Sequence, residues 1–258
     1  MRILVVEDRP ENIESAKALL SKLGHEVTVV TGYDQAHNEL KLKLNLEVLK
    51  KKLAAIELPE DFSLGQTMSD GYTNIIWKST SEMAYTNPEN TPKEKLPGLS
   101  KAYEEIRQAE YSSKEVAYDV VLTDVMFPKG GYQCMSEEGK KVVRQQGDMP
   151  YGPVVALRAL SLGIKRVGIL TQGSHHDDPF VFAFDGLKGF SVGDIHVVCA
   201  NMGYECYVER ETMERVKMPD YNDRAAYEPF RKREKAGEVV FVKDWEGLLN
   251  AVLAEQKK

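Results

Sequence analysis

Three carboxylates stand where strands end. Ile3-Leu4-Val5-Val6 runs straight into Glu7 and Asp8, and Val120-Val121-Leu122 leads through Thr123 to Asp124. A short apolar run of this kind is what a parallel strand needs when helices cover both faces of its sheet. An acid at its end then lies at the carboxyl edge, where open α/β sheets place ligands. Two such strands bring three acids together, the setting that a hard, oxygen-loving cation such as Mg²⁺ requires. Helix capping explains an Asp or Glu after either strand alone equally well; the two together weigh more. Thr171 closes a further apolar run, Val167 to Leu170, and Lys243 closes Val239 to Val242. His175-His176-Asp177-Asp178 is a run of four metal-capable side chains. Adjacent residues rarely point at one centre, however, and Asp178-Pro179 reads more simply as a helix cap with Pro at the first helical position.

Ile3 to Asp8 followed by Arg9-Pro10-Glu11-Asn12, and Tyr118 to Pro128, resemble the first and third strands of the receiver domain of two-component response regulators. The resemblance implies a doubly wound, five-stranded parallel sheet. It implies further that Asp124 accepts a phosphoryl group, and that Glu7, Asp8 and Asp124, with the Met126 backbone carbonyl, hold Mg²⁺. Thr171 takes the place of the switch Ser or Thr, whose hydroxyl follows the phosphoryl group and draws in the next loop. Lys243 resembles the Lys at the end of the fifth receiver strand; Lys217-Met218-Pro219 is a rival match with a weaker strand before it. Two positions depart from the family: Gln172 stands where a small residue flanks the pocket, and Asp244 stands where Pro follows the Lys.

Composition narrows the function classes. The chain has 258 residues, 42% hydrophobic and 29% charged, with a formal net charge of -6. That size supports a core without staples, and the acidic balance argues against direct nucleic-acid binding, which needs an excess of clustered Lys and Arg. Cys134, Cys199 and Cys206 lack zinc or redox spacing and read as idle thiols of a reducing compartment. With neither signal-peptide nor membrane-span patterning, the expectation is a cytoplasmic protein.

The elements that must position these groups follow in order. After Pro10, the residues Ile13, Ala16, Leu19, Leu20 and Leu23 mark one helix face ended by Gly24, and His25 to Val30 reads as the second strand. Far more chain separates the second strand from the third than in a standard receiver: 35–117 intervenes here. From Asp34 to Leu58 the steps Leu42, Leu46, Leu49, Leu53 and Ile56 predict one helix of a hairpin, and Leu96, Leu99, Tyr103 and Ile106 predict its return. Pro59 to Pro97 is expected to form an irregular tip with one short hairpin, where Trp77 and Tyr85 are candidate interface anchors. The receiver-like domain is thus expected to comprise 1–34 and 118–258. Pro150 to Leu162 predicts a helix ended by Gly163, Ile195 to Ala200 and Glu205 to Val208 are short strand candidates, and 209–237 reads as a surface insertion. Val239 to Val242 is taken as the fifth strand, followed by a helix carrying Leu248, Leu249, Val252 and Leu253.

Three functions compete. The retained acids favour a stand-alone, non-enzymatic receiver phosphorylated on Asp124. Its partners would be a histidine kinase or phosphotransfer protein and an output protein, with homodimerisation left open. Gln172 and Asp244 favour a receiver-like binding module that has lost the switch. The His-His-Asp-Asp run favours a metal-dependent phosphohydrolase using Asp124 with His175 or His176.

Overall fold

The computed structural model describes residues 1–60, 62–66, 73–78, 83–85, 96–127, 149–171, 187–200 and 204–255. By its internal contacts the chain forms two compact units, one of 1–41 with 116–258 and one of 42–115. The first unit begins with β1 (Arg2–Val6), α1 (Pro10–Lys22), β2 (Glu26–Val30) and α2 (Tyr33–Glu39). The second holds β3 (Lys43–Leu44), α3 (Leu46–Leu53), β4 (Phe62–Gln66), β5 (Thr73–Lys78), β6 (Met83–Tyr85), α4 (Leu96–Tyr111) and β7 (Lys114–Glu115). The first unit resumes with β8 (Val120–Asp124), α5 (Tyr151–Ser161), β9 (Val167–Leu170), β10 (Gly189–Val192) and β11 (Ile195–Ala200). It ends with β12 (Glu205–Glu209), β13 (Arg215–Val216), α6 (Arg224–Lys235), β14 (Val239–Lys243) and α7 (Trp245–Glu255).

The central sheet has six strands in the order β10-β11-β9-β8-β1-β2. Five are parallel and β10 runs antiparallel to β11 at one edge. Its strands are apolar throughout because both faces are covered. Ile3, Val5, Val120, Leu122 and Leu170 pack under Ala16 and Leu20 of α1 and Trp245, Leu248, Leu249 and Val252 of α7. Leu4, Val6, Val121, Val167 and Ile169 face Ala36 of α2, Leu40, and Val155, Ala156 and Ala159 of α5. Each side chain of this size, fully buried, contributes about 1.5 to 3 kcal/mol. Because Ala36 and Leu40 belong to this core, α2 falls in the first unit. Gly163, at φ 84°, ends α5 in the left-handed conformation that glycine adopts without a Cβ penalty.

The fifth parallel strand is Ile195–Ala200, which corrects the expected five-stranded sheet closed by Val239–Val242. Val197 to Ala200 are all buried, as an interior strand requires, whereas Phe241 in β14 is 47% exposed. That exposure suits a strand covered on one face, and β14 lies in a separate antiparallel sheet of order β13-β12-β14. The charged 209–237 stretch, expected as a surface insertion, contains β13 and the twelve-residue α6. Asp223 caps α6 by accepting from the Ala226 N–H at 3.2 Å, and Phe230 is buried edge-on against Tyr207.

In the unit of 42–115, the expected Asp34–Leu58 helix is broken by β3, which pairs with β7. Asn45 starts α3 afresh, its side chain accepting from the Glu47 and Val48 N–H groups at 3.1 Å. Leu42 and Leu46 are exposed, so the seam shrinks to Leu49, Leu53 and the partly buried Ile56, which pack with Phe62 and with Ala102, Ile106 and Ala109 of α4. The expected short hairpin is present as β4 and β5, and β6 extends it to a three-stranded antiparallel sheet. The anchor role of Trp77 and Tyr85 concerns side chains outside those described. Among the described residues, no helix is long and apolar enough to cross a membrane.

Candidate functional site

The carboxyl ends of β1 and β8 lie side by side, with Val6 paired to Thr123. Glu7 follows β1 and is completely buried. One of its oxygens, Oε1, accepts from the backbone N–H groups of Asp8 at 3.1 Å and Arg9 at 2.9 Å. The other accepts from Lys243 Nζ at 2.6 Å. Asp124 ends β8 at 6% exposure. Its Oδ1 accepts from the Val125 N–H at 2.6 Å, and its Oδ2 lies 2.6 Å from Lys243 Nζ. One ammonium thus bridges two buried carboxylates, and Asp8, half-buried, brings a third: single oxygens of Glu7, Asp8 and Asp124 all lie within 4.8 Å of one another.

Two acids against one base leave the buried trio with an excess negative charge, and burial penalises it. The Asp124 carboxyl is pushed from 3.8 up to about 6, chiefly by loss of solvent, with Lys243 pulling it down and Glu7 pushing it further up. Lys243 is itself held from behind, its Nζ 5.5 Å from the centre of the Trp245 ring.

Packing fixes the Asp124 end of the site. Gly152 opens α5 directly against it, and its N–H donates to the Val125 carbonyl at 3.0 Å. A Cβ at Gly152 would collide with the Asp124 carbonyl and crowd the Val125 Cα, so this position admits glycine alone.

Of the residues singled out from the sequence, Glu7, Asp8, Asp124 and Lys243 come together. Lys243 arrives from β14 of the three-stranded sheet and not from the central one. Thr171 is buried one residue past Leu170, the partner of Asp124 in the ladder, and its N–H donates to Ala200 at 3.2 Å. Met126, half-buried, lies two residues beyond Asp124. Gln172, His175, His176, Asp177, Asp178 and Cys134 lie outside the described residues. Asp244, the departure from the receiver pattern, caps α7: its Oδ1 accepts from the Gly247 N–H at 2.7 Å, and Arg215 pairs with both its oxygens.

Sequence reasoning missed Asn12 and Ser15. Both are buried on α1, whose inward face runs Asn12, Ser15, Ala16, Leu19, Leu20, while Leu23, expected there, is 46% exposed. The available signal was a pair of polar residues at helical spacing with the apolar stripe, since a polar group on a buried face must find a partner. No protein-family model, no curated protein and no solved structure matches this chain.

Proposed function

We propose that the chain is a receiver-type phosphoacceptor module that signals through protein contacts. The observation that carries this reading is the single ammonium of Lys243, 2.6 Å from both Glu7 and Asp124, at the carboxyl edge of a largely parallel sheet. The strand order of the five parallel strands, second-first-third-fourth-fifth along the chain of this unit, is that of flavodoxin-like folds, which place ligands at this edge. In the proposed reaction an Asp124 oxygen attacks the phosphorus of a phosphodonor. A new O–P bond forms, the donor's bond to phosphorus breaks, and the donor leaves with that electron pair. Lys243 stabilises the charge on the phosphoryl oxygens, and Thr171 offers a hydroxyl at the same edge.

Glu7, Asp8 and Asp124 fit Mg²⁺, because the donor set is all oxygen and its members converge. When bound, the cation neutralises phosphoryl oxygens. The phosphodonor would be a histidine kinase or a phosphotransfer protein, and the output contacts would come from 42–115 or 209–237. Incubation with acetyl phosphate and Mg²⁺, followed by intact mass, tests the proposal. One alkali-labile phosphoryl group is expected on wild type and none on Asp124→Ala; an unmodified wild type would overturn it.

The burial of Asp124 favours a second reading. Both its oxygens are already engaged, by Val125 and Lys243, which also suits a binding module whose ion pair is purely structural. Mg²⁺ binding without phosphoryl uptake would select that reading.

A further inference from the structure

Lys243 faces a positional problem that its own strand does not solve. Its β14 belongs to the three-stranded sheet, whereas the carboxylates it bridges end strands of the six-stranded one. A flexible four-carbon side chain alone would not hold its ammonium in one place. The solution lies on α1, the helix that directly follows Glu7 and Asp8. The Lys243 N–H donates to Asn12 Oδ1 at 3.0 Å, and the Lys243 carbonyl accepts from Ser15 Oγ at 3.3 Å. One turn of helix therefore grips both sides of this residue. The indole N–H of Trp245 donates to the Asn12 carbonyl at 3.2 Å, which fixes the ring behind the ammonium. Asn12 and Lys243 are 2% and 1% exposed, so water offers no substitute partner for either.

We propose that Asn12 is a positioning residue: its carboxamide fixes the Lys243 backbone to the helix that follows Glu7 and Asp8, and thereby seats the ammonium between Glu7 and Asp124. Because α1 continues from Glu7 and Asp8, one helix sets the spacing between these two acids and the base, while Asp124 comes from β8. The structural content stands by itself; the effect on phosphoryl transfer rests on the phosphoacceptor reading.

Amine acetylation mapped by mass spectrometry tests the structural content without metal or phosphodonor. In wild type, Lys243 should be modified far more slowly than Lys101, whose side chain is 80% exposed. Asn12→Ala should speed modification of Lys243 by about tenfold, the factor that one lost buried hydrogen bond carries. Asn12→Asp, which keeps the acceptor oxygen, should restore protection. Leu20→Ala serves as the destabilised control, because it loosens α1 at a fully buried position away from Lys243. The proposal is overturned if Lys243 stays as protected in Asn12→Ala as in wild type, or if Leu20→Ala exposes it equally at matched stability. In the second arm, Asn12→Ala should slow phosphoryl uptake from acetyl phosphate by a similar factor while Mg²⁺ still binds. A freed Lys243 with unchanged uptake overturns the functional half. A wild type that takes up no phosphoryl group sinks the phosphoacceptor reading instead, and the labelling arm then decides the role of Asn12.

Discussion

Lys243 meets Asp124 at 2.6 Å although their strands belong to different sheets. The contact joins the three-stranded sheet to the carboxyl edge of the central one through a charge pair with almost no access to water. Here the arrangement is most sensitive to loss of the base, because both carboxylates are then left buried and uncompensated.

Lys243→Met should therefore lower the stability of the metal-free protein by about 3 to 5 kcal/mol, the usual cost of breaking a buried pair from one side. Adding Asp124→Asn to that variant should recover part of the loss, since it removes one of the two stranded carboxylates. Urea unfolding of the two single variants and the double variant measures both effects, and strictly additive effects would show that the charges are not coupled.

Asp124 sets a pH dependence of its own. Burial raises its folded-state pKa from 3.8 to about 6, so its favourable contribution is fully present below pH 3.8 and is lost as pH rises through about 6. Without metal, Asp124→Asn should be more stable than wild type at pH 7 and the difference should shrink on acidification. Saturating Mg²⁺ should reverse the order at pH 7, because wild type alone then offers the ionised third ligand. Thermal unfolding from pH 4 to 8, with and without Mg²⁺, checks both signs.

At the alkaline end, burial pushes the thiols of Cys199 and Cys206 to about 12 and about 11, and the Tyr118 hydroxyl, which donates to Glu39 at 2.6 Å, to about 12. All three lie above their ordinary values of 9.0 and 10.0. Their contribution is whole below about pH 9 and is lost as pH climbs through the raised values. The unfolding midpoint should fall steadily above pH 9, and at pH 8 neither thiol should react readily with a maleimide until the protein unfolds. Fast labelling of Cys199 in the folded protein would contradict this.

Within 42–115, Leu49 is 1% exposed and Leu46 is 53% exposed. Leu49→Ala should cost about 2 to 5 kcal/mol, the range for a buried leucine, whereas Leu46→Ala should stay within about 0.5 kcal/mol of wild type. Chemical denaturation of the two variants separates a packed α3–α4 seam from a solvent-facing one.

The acids at the ends of β1 and β8 were legible because a short apolar run and the residue after it form one local pattern. Lys243 was legible as a partner of those acids, but its sheet was not: Val239–Val242 and Ile195–Ala200 look alike until Phe241 turns out to face water. The leucine steps from 42 to 56 were misleading for a related reason. Periodicity cannot register that Asn45 offers a better helix start than a continued helix does. Asn12 was hidden because an Asn in the first turn of a helix usually meets solvent, and only the packing of β14 against α1 turns it inward.

Glu7 and Lys243 are separated by 236 positions. During synthesis, β1, α1 and β8 can leave the ribosome and begin to pack long before the base that balances their acids exists. Until residue 243 emerges, Glu7 and Asp124 must stay wet, bind a cation or hold a proton, since two unpaired carboxylates do not bury together. Closure of this edge therefore waits for β14, whose last residue brings the base.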